Sequence, residues 1–208
     1  MLTVSNVSVS FTGKKLYDDV NLKFTPGNTY GVIGANGAGK STFLKVLEGK
    51  LQPTTGTVSM EANERMSSLV QDHFAFDEFT VLDTVMQGHK ELYDVKNQMD
   101  EIYTHDPFTD EDGIKVGELS ARFEELNGWS AETEAAQLLQ SLGIAEDQHY
   151  TMMADLPEVT KVKVLLAQAL FGNPDILILD EPTNGLDTKT IAWLEDFLAE
   201  YQNIVIVV

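Results

Sequence analysis

The chain has 208 residues, of which 14 are basic and 33 acidic, so its formal net charge is −19. Apolar residues make up 43% of it, the proportion of a globular protein with a packed core. The absence of cysteine excludes disulfides and thiolate metal sites and is typical of a cytoplasmic protein. No apolar run approaches the roughly 18 residues of a membrane span, and no basic signal region opens the chain. We therefore expect no direct insertion into a membrane.

The negative charge is concentrated in the middle of the chain. Residues 72–155 contain 20 acidic and 4 basic side chains. Such a segment repels the phosphates of nucleic acids and of anionic membrane surfaces. The alternative, which the charge alone favours, is a solvated face that keeps the domain soluble.

The first residues predict an antiparallel β subdomain. Residues 2–11 alternate between apolar and polar side chains, with one slip at residues 5–6, and residues 16–24 predict a second strand after a turn. Phe11 or Tyr17 could stack on the base of a nucleotide bound beside this sheet. Packing of either ring in the core is the alternative.

A glycine-rich segment follows, and its residues 34–41 match the phosphate-binding pattern G-x-x-x-x-G-K-[ST] without a mismatch. Residues 30–33 predict a buried strand before it, and residues 41–48 a helix after it that ends at Gly49. Backbone amides and the helix N-terminus would then bind phosphate, Lys40 would reach the β- and γ-phosphates, and Ser41 would ligate Mg²⁺. The alternative is an ordinary glycine-rich turn. The predicted nucleotide-binding residues are Phe11, Gly34, Ala35, Asn36, Gly37, Ala38, Gly39, Lys40, Ser41 and Thr42.

The acidic middle of the chain predicts helices. Two sets of apolar residues step by three and four positions, which places each set on one face of a helix. A solvated connector at residues 106–113 separates them, so the simplest geometry is an antiparallel helical hairpin. Ser130 is the expected N-cap of a further helix over residues 131–142. The two apolar sets are Leu92, Val95, Met99 and Ile102, and Val116, Leu119, Phe123 and Leu126.

The last quarter of the chain predicts two buried parallel strands, at residues 176–179 and 204–208, because both are continuous apolar runs. A helix over residues 161–171 precedes them, and Asp187 is the expected N-cap of a helix over residues 188–201 between them. Since the chain stops on an apolar strand, we expect that it is cut from a longer protein.

Two acidic residues follow the first of these strands. Asp180 is expected at the carboxyl edge of the sheet, as is the phosphate loop, and there it would hold Mg²⁺. Glu181 would accept a proton from the attacking water. Gln71, at the end of another predicted strand, would complete the metal or water contacts, and a surface amide is the alternative for it.

Together, residues 34–42, Gln71, residues 177–182 and residues 184–187 resemble the nucleotide-binding domain of ATP-binding cassette (ABC) proteins over essentially the whole chain. The resemblance implies an α/β P-loop NTPase fold: a mostly parallel sheet core, an antiparallel β subdomain and a helical subdomain with an inserted helical-hairpin arm. It also implies Mg²⁺-dependent ATP hydrolysis with Lys40, Gln71 and Glu181 as catalytic residues. In this family residues 184–187 meet a second nucleotide-binding domain head to tail.

The long segment between Gln71 and Leu156, and the sequence of residues 123–129, are similar to the soluble ABC-F branch, which acts on ribosomes. The resemblance implies the first domain of a tandem protein. Residues 1–71 and 156–208 would form the ATP-binding core and residues 72–155 the helical subdomain, with the arm near residues 88–130. Because the arm is acidic, the ribosome would be contacted through ribosomal protein or through parts beyond the acidic surface. The ATPase subunit of an ABC membrane transporter is the alternative.

The sequence departs from the family in one motif and lacks another. The family has Leu-Ser-Gly-Gly-Gln/Glu where this chain has residues 156–160, and Glu158 and Val159 add charge and bulk where a phosphate would bind. Asp155 and Glu158 have capping-box spacing, so we expect a good helix start and a poor phosphate sensor. The family's switch histidine is expected beyond Val208, so this chain alone should hydrolyse ATP slowly.

Overall fold

The computed structural model describes residues 1–208, and the chain divides into two compact units. The first unit comprises Met1–Val70 and Asn173–Val208, and the second comprises Gln71–Gly172. None of the helices combines the length and apolarity that crossing a bilayer requires. The strands are β1 (Leu2–Phe11), β2 (Lys14–Phe24), β3 (Thr29–Gly31), β4 (Thr55–Ser59), β5 (Met66–Ser68), β6 (Ile176–Leu179) and β7 (Ile204–Val207). The helices are α1 (Lys40–Leu47), α2 (Val81–Met86), α3 (Lys90–Tyr103), α4 (Asp110–Glu125), α5 (Gly128–Ser141), α6 (Glu158–Leu170) and α7 (Thr188–Ala199).

The first unit contains two sheets. An antiparallel sheet has the strand order β2-β1-β4, and a parallel sheet has the order β3-β7-β6-β5. The predicted slip in β1 is confirmed, because Asn6 has a φ of 52° and the pairing with β2 shifts between Val4 and Val7. This irregularity lets apolar side chains on both sides of it reach the core. Those side chains are Leu2, Val4, Val7 and Val9.

The parallel sheet is the structural core of the first unit. Every residue of β6 is buried, and so are the first three residues of β7, as their continuous apolar sequences predict. The prediction of a buried strand at residues 30–33 was wrong, because β3 ends at Gly31 and Ile33 is 95% exposed. The physical reason is that β3 is the edge strand and pairs only with β7.

Helices α3 and α4 of the second unit form the predicted antiparallel hairpin. Near the start of α3, Glu91 accepts hydrogen bonds from Arg122 near the end of α4, at 2.6 and 2.7 Å. At the opposite end, His105 and Asp112 lie 2.9 Å apart. The buried seam consists of Leu92, Val95, Met99, Ile102, Val116 and Phe123.

The helix starts in the second unit depend on local hydrogen bonds. A capping box begins α4, in which Asp112 accepts hydrogen bonds from Thr109, and these bonds lower the pKa of the Asp112 carboxyl to about 2. Ser130 is not the N-cap of α5. That helix begins at Gly128 after Asn127 in a left-handed conformation, and the Ser130 hydroxyl donates to the Asn127 carbonyl inside the first turn. A β-carbon on Gly128 would lie 2.3 Å from the Phe123 ring, so the early start depends on glycine.

Gly88, which follows α2, lies against the backbone of α6. A β-carbon at this position would meet the Gln168 carbonyl oxygen at 2.0 Å, and a carbonyl within a helix cannot retreat as a flexible side chain can. The side chain of Gln168 also donates to the Thr84 carbonyl at 2.9 Å. The close approach of α2 and α6 therefore requires glycine.

We predict that Gly88→Ala lowers the free energy of unfolding by about 2 kcal/mol or more, the cost of overpacking a closed contact. Gly117→Ala is the matched control, since Gly117 lies within α4 and nothing is within 4 Å of its would-be β-carbon. It should raise stability by up to about 1 kcal/mol through helix propensity. Urea unfolding followed by circular dichroism measures both, and equal effects would contradict the packing of α2 on α6.

Candidate functional site

The glycine-rich loop leads directly into α1, and no side chain caps the first backbone amides of this helix. Gly39 is the N-cap of α1, with a φ of 97°, and its position supplies no side-chain hydrogen bond. Gly37 also has a positive φ, of 79°. No acidic residue lies in the first turn of α1. The exposed N–H groups and the helix dipole there favour an anion.

The Lys40 ammonium group lies across this loop. It donates to the carbonyl oxygens of Gly34 and Ala35, at 2.9 and 3.2 Å. The Ala38 amide also donates to the Ala35 carbonyl, at 3.0 Å, which closes the turn. Two carbonyl groups of the loop therefore hold the Lys40 ammonium group against it.

A cavity of about 450 Å³ adjoins the loop, within the size range of small-molecule sites. It brings most of the predicted nucleotide-binding residues together with Glu181, the predicted base. Four predicted residues of the first unit lie outside its lining, namely Gly34, Ala35, Ala38 and Asp180. The lining consists of Phe11, Leu16, Asn36, Gly37, Gly39, Lys40, Ser41, Thr42 and Glu181.

Glu181 occupies an unusual backbone conformation after β6. Its φ is 50°, which costs energy for a residue with a side chain and is typical of functional sites. Its amide donates to the Val208 carbonyl at 3.1 Å, and its carboxylate accepts from the Asn184 side-chain amide at 2.5 Å. These two bonds fix an exposed carboxylate in the cavity wall. Asp180, half-buried, links β6 to Glu181.

The two aromatic candidates for base stacking have different positions. Phe11 lines the cavity and is 49% exposed, whereas Tyr17 packs its ring edge-on against Phe43 at 5.8 Å. Burial raises the pKa of the Tyr17 phenol. Tyr17 is therefore a packing residue, and Phe11 remains the ring available to a ligand.

The sequence did not indicate that Leu16 is part of the site. A β-carbon on Gly39 would lie 2.6 Å from the Leu16 side chain, so β2 supplies an apolar wall directly against the loop. A leucine in an alternating strand has no feature that distinguishes a ligand contact from core packing. Gln71 is exposed at the first position of the second unit, and its catalytic and metal-binding role stays a prediction.

The predicted capping box at the start of α6 was wrong. The N-cap is Pro157, which has no side-chain acceptor, and Asp155 ends a short 3₁₀ helix (Met153–Asp155). A capping box requires the N-cap three residues before the glutamate, whereas here Glu158 is the first residue of the helix. The Glu158 carboxylate instead lies 3.1 Å from Nδ1 of His73. A carboxylate therefore occupies the first turn of α6.

A phosphate loop between a parallel strand and a helix, with an acidic pair after a second strand of the same sheet, defines a P-loop NTPase. A family model described as ABC transporter matches residues 17–184, and the chain therefore belongs to the ABC transporter family. It is an ATP-binding domain of the ATPase class, as the sequence predicted.

Three curated relatives refine this assignment, and each is matched over the whole of this chain. The first is the uncharacterized ABC transporter ATP-binding protein YkpA of Bacillus subtilis (strain 168), which is 60% identical over 208 residues. The chain covers 38% of the length of YkpA. The second is the probable ATP-binding protein YbiT of Escherichia coli O157:H7, which is 52% identical. The chain covers 39% of the length of YbiT. The third, ABC transporter F family member 4 of Arabidopsis thaliana, is 31% identical over 217 residues, and the chain covers 29% of its length. The resemblance to the ABC-F branch is thus confirmed, and the chain spans about two fifths of the first two relatives.

The fold is also found in solved structures. An ATP-binding subunit of an ABC transporter matches with a TM-score of 0.74 and 21% identity, over 100% of this chain and 78% of that one. At this identity the likeness concerns the fold alone. The predicted fold class is confirmed.

We predict that Gly39→Ala weakens ATP binding at least about tenfold, because a φ of 97° and contact with Leu16 leave no room for a side chain. Gly31→Ala is the control, since its φ is not positive and nothing lies within 4 Å of its would-be β-carbon. Isothermal titration calorimetry measures both. Unchanged affinity in Gly39→Ala would mean that the loop conformation is not needed for binding.

Proposed function

We propose that the cavity at the phosphate loop binds the triphosphate of ATP together with Mg²⁺. The observation that supports this most directly is one cavity lined by the loop, Lys40, Ser41 and Glu181. Lys40 would exchange its bonds to the loop carbonyls for the β- and γ-phosphates. Phe11 would stack on the adenine base, and Leu16 would contact the adjacent apolar edge.

The magnesium ion would be held by oxygen donors, which is the chemistry it prefers. Ser41, at the start of α1, and Asp180, at the end of β6, supply a hydroxyl and a carboxylate, and Gln71 would add an amide oxygen. Phosphate oxygens and water would supply the remaining ligands. When bound, the ion would neutralise charge that develops on the phosphates during transfer.

Glu181 would act as the general base. Its carboxylate lines the cavity, and the bond from Asn184 limits its rotation. It would accept a proton from the water that attacks the γ-phosphate. Asn184 would thus be a positioning residue.

For Glu181→Gln in the full-length protein, we predict a fall in single-turnover ATP hydrolysis of at least about 100-fold, the usual contribution of a general base. The dissociation constant for ATP should stay within about twofold, because the amide keeps the shape of the side chain. The control is Glu195→Gln, which removes the same charge from an exposed position on α7 and should leave both quantities unchanged. Wild-type hydrolysis by Glu181→Gln would remove Glu181 from this role.

The partner in catalysis would be a second nucleotide-binding domain, either the second half of the same protein or another copy, arranged head to tail. Residues 184–187 would meet that domain. The first turn of α6 carries Glu158 and Val159 where the family presents glycines to a phosphate, so this copy would contribute little to the opposite site. The two sites of the full protein would then be unequal.

For the full protein we propose a soluble, cytoplasmic ABC-F factor that acts on ribosomes, with this chain as its first ATPase domain. The similarity to an F family member and the helical hairpin of α3 and α4 support this function. The hairpin is acidic, so its contacts would be made to ribosomal protein rather than to RNA. ATP would close the two domains on the ribosome, and hydrolysis would release them.

The second candidate is the ATPase subunit of a membrane transporter. The family model that matches the chain is described as ABC transporter, which supports this candidate. The phosphate site does not distinguish the candidates, because both would use it in the same way. The partner of the full-length protein distinguishes them.

We predict that full-length protein carrying Glu181→Gln sediments with ribosomes in ATP and not in ADP, because unhydrolysed ATP keeps the domains closed. Lys40→Ala should not sediment in either nucleotide, since it cannot hold the triphosphate. Immunoblotting of the ribosome pellet and of a washed membrane fraction is the measurement. Recovery with membranes alone would favour the transporter.

A further inference from the structure

The second unit contains a cavity that the nucleotide site does not involve. It has a volume of about 440 Å³ and is lined by residues of α2, α3, α4 and α5. Two methionines, Met86 and Met99, are almost completely buried beside it and give it a soft apolar floor. The cavity is therefore large enough for one extended side chain and its neighbours.

Aromatic rings form the walls of this cavity. Trp129 is 67% exposed and packs edge-on against the buried Phe123 ring at 5.0 Å, while Tyr103 is 60% exposed. Packing against Phe123 fixes the indole, so its open face is presented with little loss of entropy on binding. Two large exposed rings beside one cavity are typical of a binding site.

The charged groups of the lining are Lys96, Asp100 and Glu132. The Lys96 ammonium donates to Asp100 at 2.8 Å, and this bond raises the pKa of Lys96 and offsets its charge. Glu132 forms no close ion pair or hydrogen bond, although its charge also contributes to the raised pKa of Lys96. It lies one helical turn after Trp129 on α5, so both side chains are on the same face. The lining thus offers one carboxylate without a hydrogen-bonded partner beside an indole ring.

The surroundings of the cavity determine which ligands can approach it. Residues 71–172 contain 21 acidic and 6 basic side chains. This charge repels phosphates, nucleic acids and anionic lipids, and it attracts cations. An aromatic wall with a carboxylate suits a planar cation that stacks on the ring and donates two hydrogen bonds to the carboxylate.

We propose that this cavity binds an arginine side chain from a basic segment of a partner protein. The guanidinium group stacks on Trp129 and donates to the Glu132 carboxylate, and the aliphatic part of the side chain contacts the methionine floor. Arginine is favoured over lysine because its head group is planar and weakly hydrated. The inference goes beyond the proposed function and does not depend on the nucleotide site.

The experiment compares the binding of a nona-arginine and a nona-lysine peptide to the 208-residue chain at 150 mM salt by isothermal titration calorimetry. The peptides carry equal charge, so attraction to the acidic surface alone gives equal affinities. We expect the arginine peptide to bind about tenfold more tightly. Because the chain has 2 tryptophans, Trp193→Phe leaves Trp129 as the only indole, and its emission should shift with the arginine peptide.

Two substitutions in the cavity test the assignment. Trp129→Ala should abolish the preference for arginine, and Glu132→Gln, an exposed change that does not affect packing, should reduce it to about threefold or less. The matched controls lie outside the lining in the same unit. Glu118→Gln removes one exposed charge and Tyr150→Ala one exposed ring, and both should retain the tenfold preference.

Equal affinity for the two peptides would overturn the proposal, because the attraction would then be that of charge alone. A preference retained in both Trp129→Ala and Glu132→Gln would also overturn it. A fluorescein-labelled single-stranded RNA is the third probe. If this RNA binds more tightly than the arginine peptide, and if Trp129→Ala abolishes that binding, the ligand is a nucleic acid and the proposal of a basic partner protein is wrong.

Discussion

The site depends on the parallel pairing of β3, β7 and β6. Because parallel strands end at the same edge of a sheet, this pairing places the end of β3, with the phosphate loop, and the end of β6, with Asp180, at one edge. The strands are held by backbone hydrogen bonds and by buried side chains such as Ile178 and Ile206. A loose sheet would separate two halves of the site that are 140 residues apart in sequence.

Rigid backbone features complete the site at that edge. Gly39 has a left-handed conformation against Leu16, and Glu181 has a positive φ that two hydrogen bonds stabilise. The Glu181 conformation is costly for an isolated peptide and is fixed by the surrounding structure, whereas glycine adopts a positive φ without a steric penalty. Groups that are already positioned need little rearrangement when charge develops on a phosphate.

The acidic side chains of the second unit have two different functions in the structure. Some stabilise the hairpin locally, as Glu91 does with Arg122 and Asp112 with Thr109. Others, such as Glu132, form no close ion pair and lie beside exposed aromatic rings. A composition count does not separate these groups, because an ion pair and an open carboxylate contribute the same formal charge.

The sequence by itself determined the phosphate loop, the acidic pair after β6, the hairpin seams and the Asp187 cap, which accepts a hydrogen bond from Thr190. Each is a local pattern, in which spacing along the chain fixes the chemistry. Only the tertiary structure decided that Leu16 lines the cavity, that Tyr17 packs on Phe43, and that Trp129 stands beside Glu132 at a cavity. These facts depend on contacts between distant segments, on which face of an element is covered, and on where an edge strand leaves Ile33 exposed. Periodicity identifies an apolar face, but the neighbour that covers it is set by the packing of the whole chain.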